Sequence, residues 1–480
     1  MKPIDTPAPL DEATRQALVA LVGAEHLHDG AATRWAYARD RLPYGTFRLR
    51  EGEPPGRLPA AVVMPANEDE LVALVQLARR LQRPLIPFGA GSGVLGGTVP
   101  LSGRELVVDL KRMNRLLQVD RVNGTATAQA GLNGAQFEAA LQAQGFTAGH
   151  YPQSIAMSTV GGWAACRGAG QASSRYGKIE DMVLGLKAVL PDGRHVQVRP
   201  VARRSVGPSL KDLWVGSEGT LGFITELTLR IWRRPEFEQG HVLALPSVGA
   251  GLELLREVMQ AELRPQVARL YDEAESHART AGVAGFDAGR PILCILKFAG
   301  LPRLARLESE LALEIAARHG ALQADLQPYT HWESTRYQSY STAWQTDGHH
   351  MDTIEVTAPW SALPALHRAC REAVLGLAEG VHFGAHWSHV YPEGACQYMT
   401  LRLPPMAAER AQALHHQAWD RVQRLTLDHG GSIAHHHGAG WFRGPWMEAE
   451  LAGGLPVLQA LKDALDPQNL FNPGKLGLRA

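Results

Sequence analysis

The chain has 480 residues, with 48 Lys and Arg against 48 Asp and Glu, so it carries no formal net charge at neutral pH. This length allows two or three compact units, and the charge balance argues against nucleic acid or an anionic membrane as a general partner. The start of the chain lacks the apolar segment of a secretion signal, and no later apolar run reaches membrane-spanning length. Four scattered cysteines without metal-type pairs favour a reduced compartment, so we expect a cytoplasmic protein.

The first regular elements lead to a glycine-rich loop. Asn67 and Glu70 have the spacing of a helix cap and its N3 partner, and apolar residues then recur at helical spacing from Leu71 to Leu81. The stretch "RPLIPF" predicts a short strand. That strand ends at the loop "PFGAGSGVLGGTVP", Pro87 to Pro100.

Within this loop, residues 91–96 read as G-x-G-x-x-G, the fingerprint of a dinucleotide-binding Rossmann unit, and Asp109 follows near the place of a ribose-binding acid. A Rossmann unit needs a helix directly after the glycines. Here Pro100, a Ser102-Gly103 turn and the strand "ELVVDL" follow instead, which argues against it. Two interpretations remain, a flexible turn or a series of backbone N–H groups that wrap a pyrophosphate without a helix.

Two later runs of small residues favour the phosphate-binding interpretation. Residues 151–193 are rich in Gly and Ser and lead into an apolar strand, and residues 212–231 form a small-residue turn before an alternating strand. Several such loops can converge on one extended ligand. Together and in this order, the three stretches resemble the FAD-binding domain of the vanillyl-alcohol oxidase/p-cresol methylhydroxylase flavoprotein family. The resemblance covers residues 59–235, with a further piece at residues 465–476.

This resemblance implies FAD as the cofactor. In that family the glycine loop holds the FAD pyrophosphate, which here implies Gly89, Ala90, Gly91, Ser92, Gly93 and Val94. The residues that the resemblance implies along the flavin ring and phosphates are Ser158, Thr159, Gly161, Gly162 and Tyr176. Those that it implies on the adenosine side are Glu218, Gly219 and Ile224. The expected set also includes Pro87, Gln153 (where an Asp is usual), Ser154, Ala165 and Gly222. Some members attach the flavin through a His in the first loop; none stands between Pro87 and Pro100, so we expect non-covalent FAD.

From about Phe237 the sequence changes to long helical patterns, such as "GLELLREVMQ" and "LARLESELALEIAARHG", separated by strands such as "ILCILKFAG". We therefore expect an α+β protein with a two-part FAD-binding domain of the vanillyl-alcohol oxidase type and an inserted α+β cap for the substrate. The predicted boundaries are 1–236 for the FAD-binding part, 237–428 for the cap, and 429–480 for a C-terminal segment that returns to the FAD-binding part.

Nine of the twenty histidines lie between His382 and His437. A metal site is one interpretation, since His386 and His389 are three residues apart, but few acids lie nearby and we expect no metal. Solvated or core histidines are a second. We favour a proton-handling and anion-binding wall, because His titrates near neutral pH. If "HHH" is extended, His435 and His437 share one face and His436 lies on the other.

Within the flavoprotein family, "YGKIED", "SHVYPEGACQY" and "HHHGAG" followed by Arg443 resemble the alkyldihydroxyacetonephosphate synthases. In those enzymes the substrate forms an adduct at flavin N5, a His removes a proton, a Tyr assists release of the fatty acid, and an Arg meets the phosphate. The resemblance implies a base among His435, His436 and His437, with Tyr398 as the assisting residue. It implies a substrate-binding set of Arg269, His386, His389 and Arg443.

Each of these roles has a simpler alternative or a departure. Tyr398 could alternate on a strand face, and Arg269 could pair with Asp272 or Glu273 at the surface. Trp441 replaces a basic residue expected after the His-rich segment, which puts a phosphorylated, acyl-bearing substrate in doubt. In D-2-hydroxyacid dehydrogenases of the same superfamily a Glu-His pair holds a metal, and His436 occupies the place of that Glu. We therefore predict His436 as the base.

The sequence thus predicts an FAD-dependent enzyme that acts at flavin N5 on a small anionic hydroxy- or keto-substrate, with a His base. An FAD-dependent D-2-hydroxyacid dehydrogenase or oxidase, acting on substrates such as D-lactate or glycolate, is the alternative. A non-catalytic flavin-binding module is a third hypothesis. The substrate, the electron acceptor and the formation of a homodimer stay open.

Overall fold

The computed structural model of the chain describes residues 10–338 and 347–480. The first nine residues, which the prediction of no secretion signal covers, lie outside the described part. Among the described residues, no helix has the length and apolar character needed to span a membrane.

A four-stranded sheet carries the glycine-rich loop. Its order is β1 (Leu27–His28), β2 (Ala61–Val63), β4 (Leu106–Asp109) and β3 (Leu85–Phe88), with β2, β4 and β3 parallel. The predicted helix before β3 spans Glu68–Leu81, and the Asn67 side chain accepts a hydrogen bond from the Glu70 amide at 2.9 Å. The chain runs from β3 to β4 without a helix, as predicted, so the loop is not part of a Rossmann unit.

Asp109 does not face a ribose site. Its carboxylate is fully buried, accepts a hydrogen bond from the Tyr37 hydroxyl at 2.5 Å and lies 2.9 Å from Lys111 Nζ. It therefore stabilises the end of β4.

A five-stranded antiparallel sheet follows, with the order β5-β6-β10-β8-β9. Its strands are β5 (Leu116–Asp120), β6 (Thr125–Gln129), β8 (Val183–Val189), β9 (His195–Val198) and β10 (Phe223–Arg230), and a separate pair is formed by β7 (Phe146–Thr147) and β11 (Trp232–Arg233). The helices that accompany these two sheets, besides Glu68–Leu81, are Glu12–Val22, Ala31–Ala36, Pro43–Arg50, Gly134–Gln142, Val160–Ala165, Ser173–Tyr176, Ile179–Met182 and Lys211–Trp214.

The remaining strands form one seven-stranded antiparallel sheet with the order β15-β12-β14-β13-β17-β18-β16. They are β12 (Phe237–Leu245), β13 (Val267–Tyr271), β14 (Ile292–Gly300), β15 (Leu322–Gln323), β16 (His350–Pro359), β17 (His382–Val390) and β18 (Gly394–Leu403). The helices in this part and after it are Val248–Gln260, Glu273–Thr280, Pro302–Arg318, Gln327–Thr335, Leu363–Leu375, Ala408–Asp428, Met447–Leu451 and Leu455–Leu465. The predicted helices at "GLELLREVMQ" and "LARLESELALEIAARHG" and the strand at "ILCILKFAG" are all present.

One face of the seven-stranded sheet is apolar. Ile354, Trp387 and Met399 are at most 1% exposed and belong to the largest apolar cluster of the described residues. Because side chains alternate along a strand, the residues between them point to the opposite face. That opposite face carries the candidate site.

The C-terminal segment extends the glycine-loop sheet. The Leu85 amide donates to the Leu470 carbonyl at 2.7 Å, and the Asn472 amide donates to the Leu85 carbonyl at 2.8 Å. Lys475 Nζ reaches the Val99 carbonyl at 2.7 Å. The end of the chain therefore contacts the glycine loop directly, whereas the boundaries predicted at 236 and 428 stay a prediction.

His150 is a polar side chain in the core of the first half. It is not exposed, neither ring nitrogen has a hydrogen-bond partner among the described residues, and its ring lies 4.6 Å from that of Trp163. Burial, helped by the charge of Lys178, lowers the pKa of His150 from 6.5 to about 3. The ring is therefore neutral in the folded protein over most of the acidic range.

This burial predicts an acid-sensitive stability. Between pH 6.5 and about 3 the unfolded chain protonates His150 and the folded chain does not, so stability falls as pH falls, by up to about 1.4 kcal/mol per pH unit for this one group. His150→Phe should flatten the dependence of the free energy of unfolding on pH by this amount, as measured by urea unfolding. His277→Phe, at an exposed position, is the control, and an unchanged slope in His150→Phe would contradict the assignment.

Candidate active site

A row of polar residues crosses the open face of the seven-stranded sheet. Tyr271 of β13 pairs with His386 of β17, His386 pairs with Tyr398 of β18, and Tyr398 pairs with Glu355 of β16. Directly opposite residues of antiparallel strands project to the same face, so the four side chains are neighbours. The His386 and Tyr398 rings are stacked at 4.8 Å. Tyr398 thus does alternate on a strand face, and that face is the candidate site.

Glu355 lies fully buried at the end of this row and holds the His-rich segment. Its Oε2 accepts the amides of His435 at 2.5 Å and His436 at 3.3 Å, and its Oε1 accepts the amide of His437 at 3.1 Å. Three consecutive backbone N–H groups therefore converge on one carboxylate, an arrangement that binds anions well.

Because the segment curves around Glu355, the prediction that "HHH" is extended is wrong. Residues 435–437 form bends and no strand. The three rings do not alternate between faces: those of His435 and His436 are 5.0 Å apart, and those of His436 and His437 are 4.5 Å apart. His389 of β17 completes the cluster, at 4.9 Å from the His435 ring and 4.7 Å from the His436 ring.

The Arg443 side chain is occupied by protein groups. It is fully buried, donates to Glu355 Oε1 at 2.9 Å and to the Glu355 carbonyl at 2.6 Å, and also donates to the Gly438 carbonyl at 2.6 Å. Burial is the largest single influence and would raise the pKa of the Glu355 carboxyl, but the charge of Arg443 and the other groups around the carboxylate, including the hydrogen bonds from Arg443 and the His437 amide, together lower that pKa. The predicted anion-binding role of Arg443 is therefore replaced by a structural one.

A chain of hydrogen bonds runs through the cluster. His436 Nδ1 lies 2.8 Å from His435 Nδ1, and His435 Nε2 lies 2.9 Å from the Tyr391 hydroxyl. That hydroxyl donates to Ser173 Oγ at 3.1 Å, and Ser173 Oγ lies 2.7 Å from His389 Nδ1. A second contact fixes the segment, since Lys178 Nζ donates to the His435 carbonyl at 2.5 Å.

The imidazoles of the cluster are held neutral. Burial, supported by neighbouring positive groups, lowers the pKa of His389 to about 3 and that of His386, His435 and His436 well below the usual range. The pKa of His437 is lowered by the same cause, although Glu355 opposes the shift. Burial also raises the pKa of Tyr398. Five adjacent rings therefore carry no charge at neutral pH.

Neutrality assigns the tautomers, given Tyr391 as the donor to Ser173. The Tyr391 oxygen then accepts from His435 Nε2–H, so His435 Nδ1 is bare and accepts from His436 Nδ1–H. Nε2 of His436 is left with its lone pair and has no hydrogen-bond partner among the described residues. Of the two histidines linked by this chain of hydrogen bonds in the His-rich segment, His436 therefore has the nitrogen available to take a proton.

Arg269 brings an unpaired positive charge to the same face. Its Nε donates to the Tyr271 hydroxyl at 2.8 Å, and its guanidinium lies over the rings of Tyr271 and Trp332, each at 5.4 Å. Its charge helps to lower the pKa of His386 and His389, after burial. The alternative of a surface pair is wrong: Asp272 is buried and accepts the amides of Glu275 and Ala385, and no described carboxylate pairs with Arg269.

The glycine loop offers a separate set of donors. The amides from Ala90 to Leu95 have no acceptor among the described residues, and the loop around them is half-buried. Gly91 has φ +63°, and an added Cβ would lie 2.8 Å from Phe88 Cζ. The Gly96 amide donates to buried Asp40 at 2.7 Å, which anchors the end of the loop. Free amides without side chains fit the pyrophosphate of FAD.

Glu218 joins the glycine loop to the His-rich segment. Its Oε1 accepts the amide of Ala439 at 2.6 Å and its Oε2 that of Gly440 at 2.8 Å, while an added Cβ on Gly97 would lie 3.1 Å from Oε2. The Trp441 and Phe442 amides both donate to the Leu95 carbonyl at 3.0 Å. Burial raises the pKa of Glu218 to about 7. Its carboxylate is thus occupied by the segment after the histidines, and its contact on the adenosine side stays a prediction.

Two of the other predicted FAD-binding residues adjoin the loop directly, Thr159 beside Gly89 and Gly219 beside Pro87. Thr159 caps the helix Val160–Ala165, and an added Cβ on Gly89 would lie 2.3 Å from Thr159 Oγ1. The Ser158 hydroxyl accepts a hydrogen bond from Trp163 Nε1 at 2.8 Å. The Ala165 carbonyl accepts the Glu218 amide at 2.9 Å. Added Cβ atoms on three glycines would meet close neighbours, namely Gly161 (Ala130), Gly219 (Pro87) and Gly222 (Val189). Ser154 precedes a single turn at Ile155–Met157, and Ile224 lies buried in β10.

Two residues predicted to bind FAD, Tyr176 and Gln153, make other contacts. Tyr176 packs on Trp232 at 4.9 Å between ring centroids, and Gln153 donates to the Gln338 carbonyl at 2.6 Å. Their contact with FAD stays a prediction.

Four ligating groups lie within 4.8 Å of one another, from Glu355, Cys396, His435 and His436. Each Glu355 oxygen already accepts hydrogen bonds, and Arg443 supplies the countercharge. A cation here would compete with that guanidinium, so the donor set fits a metal ion poorly.

Several residues of the site were not predicted from the sequence: Asp40, Ser173, Lys178, Glu355 and Tyr391. A signal existed for some of them. Ser173 lies in the Ser-rich run, Lys178 in "YGKIED" and Tyr391 in "SHVYPEG", all of which the resemblance already quoted. Glu355 is one of two acids, with Asp352, in the buried strand "HMDTIEVTAP". A buried acid of this kind needs a partner, and that partner lies 88 residues away.

Comparisons with known proteins agree with this geometry. Residues 59–199 match the model of the FAD binding domain, and residues 234–476 match that of the C-terminal domain of FAD linked oxidases. An alkyldihydroxyacetonephosphate synthase of Trypanosoma brucei brucei is 30% identical over 92% of this chain and 77% of its own. The glycolate oxidase subunit GlcD of Bacillus subtilis is 25% identical over 96% of both chains.

Solved structures show the same fold. A crystal form of alkyldihydroxyacetonephosphate synthase superposes with a TM-score of 0.81 at 25% identity, over 98% of this chain and 86% of that one. Substrate-bound p-cresol methylhydroxylase, at 14% identity, superposes with a TM-score of 0.77 over 97% of this chain and 96% of its own, which shows the fold alone. The predicted α+β fold of the vanillyl-alcohol oxidase type and FAD as cofactor are confirmed. The chain belongs to the FAD-linked oxidase family.

Proposed function

We propose that the protein is an FAD-dependent enzyme in which His436 exchanges a proton with a small anionic hydroxy- or keto-substrate held by Arg269, as the likeness to alkyldihydroxyacetonephosphate synthases suggests. The observation that carries this proposal is the bare Nε2 of His436 at the end of a hydrogen-bonded chain, on the same sheet face as an unpaired guanidinium. FAD supplies the electron-accepting ring of the reaction. The protein supplies the base, the anion site and the exclusion of water.

Proton transfer depends on substrate charge. A neutral imidazole whose pKa is depressed by burial is a weak base until a negative charge comes close. An anion bound by Arg269 provides that charge and raises the pKa of His436, while Tyr391 and Ser173 can pass a proton on toward His389. Tyr398, stacked between His386 and His436, is available as an acid because burial keeps its hydroxyl protonated.

A D-2-hydroxyacid dehydrogenase or oxidase is the second candidate function. The likeness to the glycolate oxidase subunit supports it, and so does the loss of two cations that a phosphate would need: Arg443 is occupied by Glu355, and Trp441 replaces a basic residue. One guanidinium suits a single carboxylate. An anaerobic screen of 2-hydroxyacids and acyl-dihydroxyacetone phosphate, followed by flavin absorbance, separates the two. Unchanged absorbance with every compound would favour a non-catalytic module.

We expect non-covalent FAD on the glycine loop. Acid precipitation should release all flavin into the supernatant, and flavin in the pellet would contradict the prediction. Gly91→Asp should abolish FAD binding, because it adds a carboxylate beside the pyrophosphate at a backbone position with positive φ. Gly207→Asp, the same change at an exposed glycine with positive φ outside this loop, is the matched control. Flavin content in Gly91→Asp equal to that of the unchanged protein would place the cofactor elsewhere.

His436→Ala should keep FAD bound and slow flavin reduction, or adduct formation, by at least about 10²-fold, because the base is lost. His435→Ala should be less damaging, since it removes the next member of the chain, and His437→Ala least, since its Nδ1 has no partner. Stopped-flow absorbance under anaerobic conditions measures all three. A larger loss in His437→Ala than in His436→Ala would refute the assignment.

Arg269→Lys should raise KM or the apparent Kd of the substrate by about tenfold and leave flavin content intact. A lysine keeps the charge but loses the planar fork and the contact with Tyr271. Arg121→Lys, at an exposed arginine between β5 and β6, is the control. Unchanged kinetics in Arg269→Lys would remove Arg269 from the substrate site.

A further inference from the structure

A second, arginine-lined cavity of about 540 Å³ lies between the β7–β11 pair and the end of β14. Glu236 is the one acid in its wall. The arginines that line it are Arg175, Arg230, Arg233, Arg234 and Arg264.

Most of these positive charges are not neutralised. Arg175 lies 3.4 Å from Glu308 Oε2, but no described carboxylate pairs with the other four arginines. Arg230 instead lies over the Trp232 ring at 4.9 Å. The chain as a whole has no net charge, so this concentration of guanidinium groups is local. These four arginines are exposed, so solvent screens part of their mutual repulsion, and an anion bound in the cavity would relieve the rest.

Apart from Tyr176, no residue predicted to bind FAD or substrate lines this cavity. Its wall includes Arg175 and Tyr176, which belong to the short helix Ser173–Tyr176. Ser173, at the start of that helix, contacts His389 of the candidate active site. One helical turn therefore contributes to both places.

We propose that this cavity binds a phosphate-bearing ligand. Several guanidinium groups around one space match a multiply charged phosphate or pyrophosphate better than a single carboxylate, because each can donate a charge-assisted hydrogen bond. The volume suits a small molecule. The phosphate can belong to a free metabolite or to a lipid headgroup, and Leu301, 62% exposed at the rim, supplies the apolar contact that a lipid would need.

FAD-loaded protein titrated with inorganic pyrophosphate tests the site by calorimetry, with the flavin site already filled. The double substitution Arg233→Ala/Arg234→Ala should weaken binding by about tenfold or more. Arg121→Ala, an exposed arginine between β5 and β6, is the control and should bind normally. Flavin content and thermal unfolding show that each variant folds.

A second arm separates the two sources of phosphate. Flotation with phosphatidylcholine vesicles that contain phosphatidic acid should, for a lipid headgroup, show binding that Arg233→Ala/Arg234→Ala and Leu301→Ser both weaken. For a free ligand, pyrophosphate binds, vesicles do not, and Leu301→Ser is neutral. The proposal is overturned if neither probe binds, or if the double variant binds as the unchanged protein does. Calorimetry and flotation measure binding and do not depend on turnover. They therefore test this cavity even if the proposed function is wrong.

Discussion

The buried ion pair of Glu355 and Arg443 is the interaction on which the candidate active site depends. Taking two charges out of water costs several kcal/mol per ion, and good geometry with further hydrogen bonds is needed to offset it. Here Oε1 accepts from Arg443 and the His437 amide, and Oε2 accepts from the His435 and His436 amides. Because those amides are consecutive, the carboxylate imposes the curvature that groups three imidazoles. Loss of either charge would leave its partner buried and unpaired.

The same device anchors the glycine loop. A loop of glycines has few side chains that can pack, so it is held by hydrogen bonds from backbone amides at its end and in the neighbouring segment to buried carboxylates. Asp40 accepts the Gly96 amide at one end, and Glu218 accepts the Ala439 and Gly440 amides beside it. Glu355 and Glu218 accept hydrogen bonds from the backbone amides of neighbouring parts of one segment, residues 435–440. The imidazole cluster and the donors of the glycine loop are therefore fixed relative to each other through a few residues.

Local patterns predicted much of the fold. The helix capped by Asn67, the strand at "RPLIPF" and the absence of a helix after the glycines are decided by residues close in sequence, and all are present. The His-rich segment could not be predicted in this way, because its shape depends on Glu355, 80 residues away. The structural role of Arg443 was not predicted for the same reason, because its guanidinium pairs with Glu355, a buried acid on a strand distant in sequence. Long-range partners of this kind leave no spacing pattern in one sequence.

The distribution of charge in the candidate active site favours the entry of an anion. Five imidazoles lie together without charge, since burial disfavours their protonated forms and they have few anionic neighbours. The cation that remains unpaired there is Arg269, so the open site attracts an anion. An anion that enters displaces water and lowers the cost of a positive imidazole. Proton affinity thus rises only when the substrate is present, and Nε2 of His436, at one end of the hydrogen-bonded chain, is an open nitrogen at which the proton can be accepted.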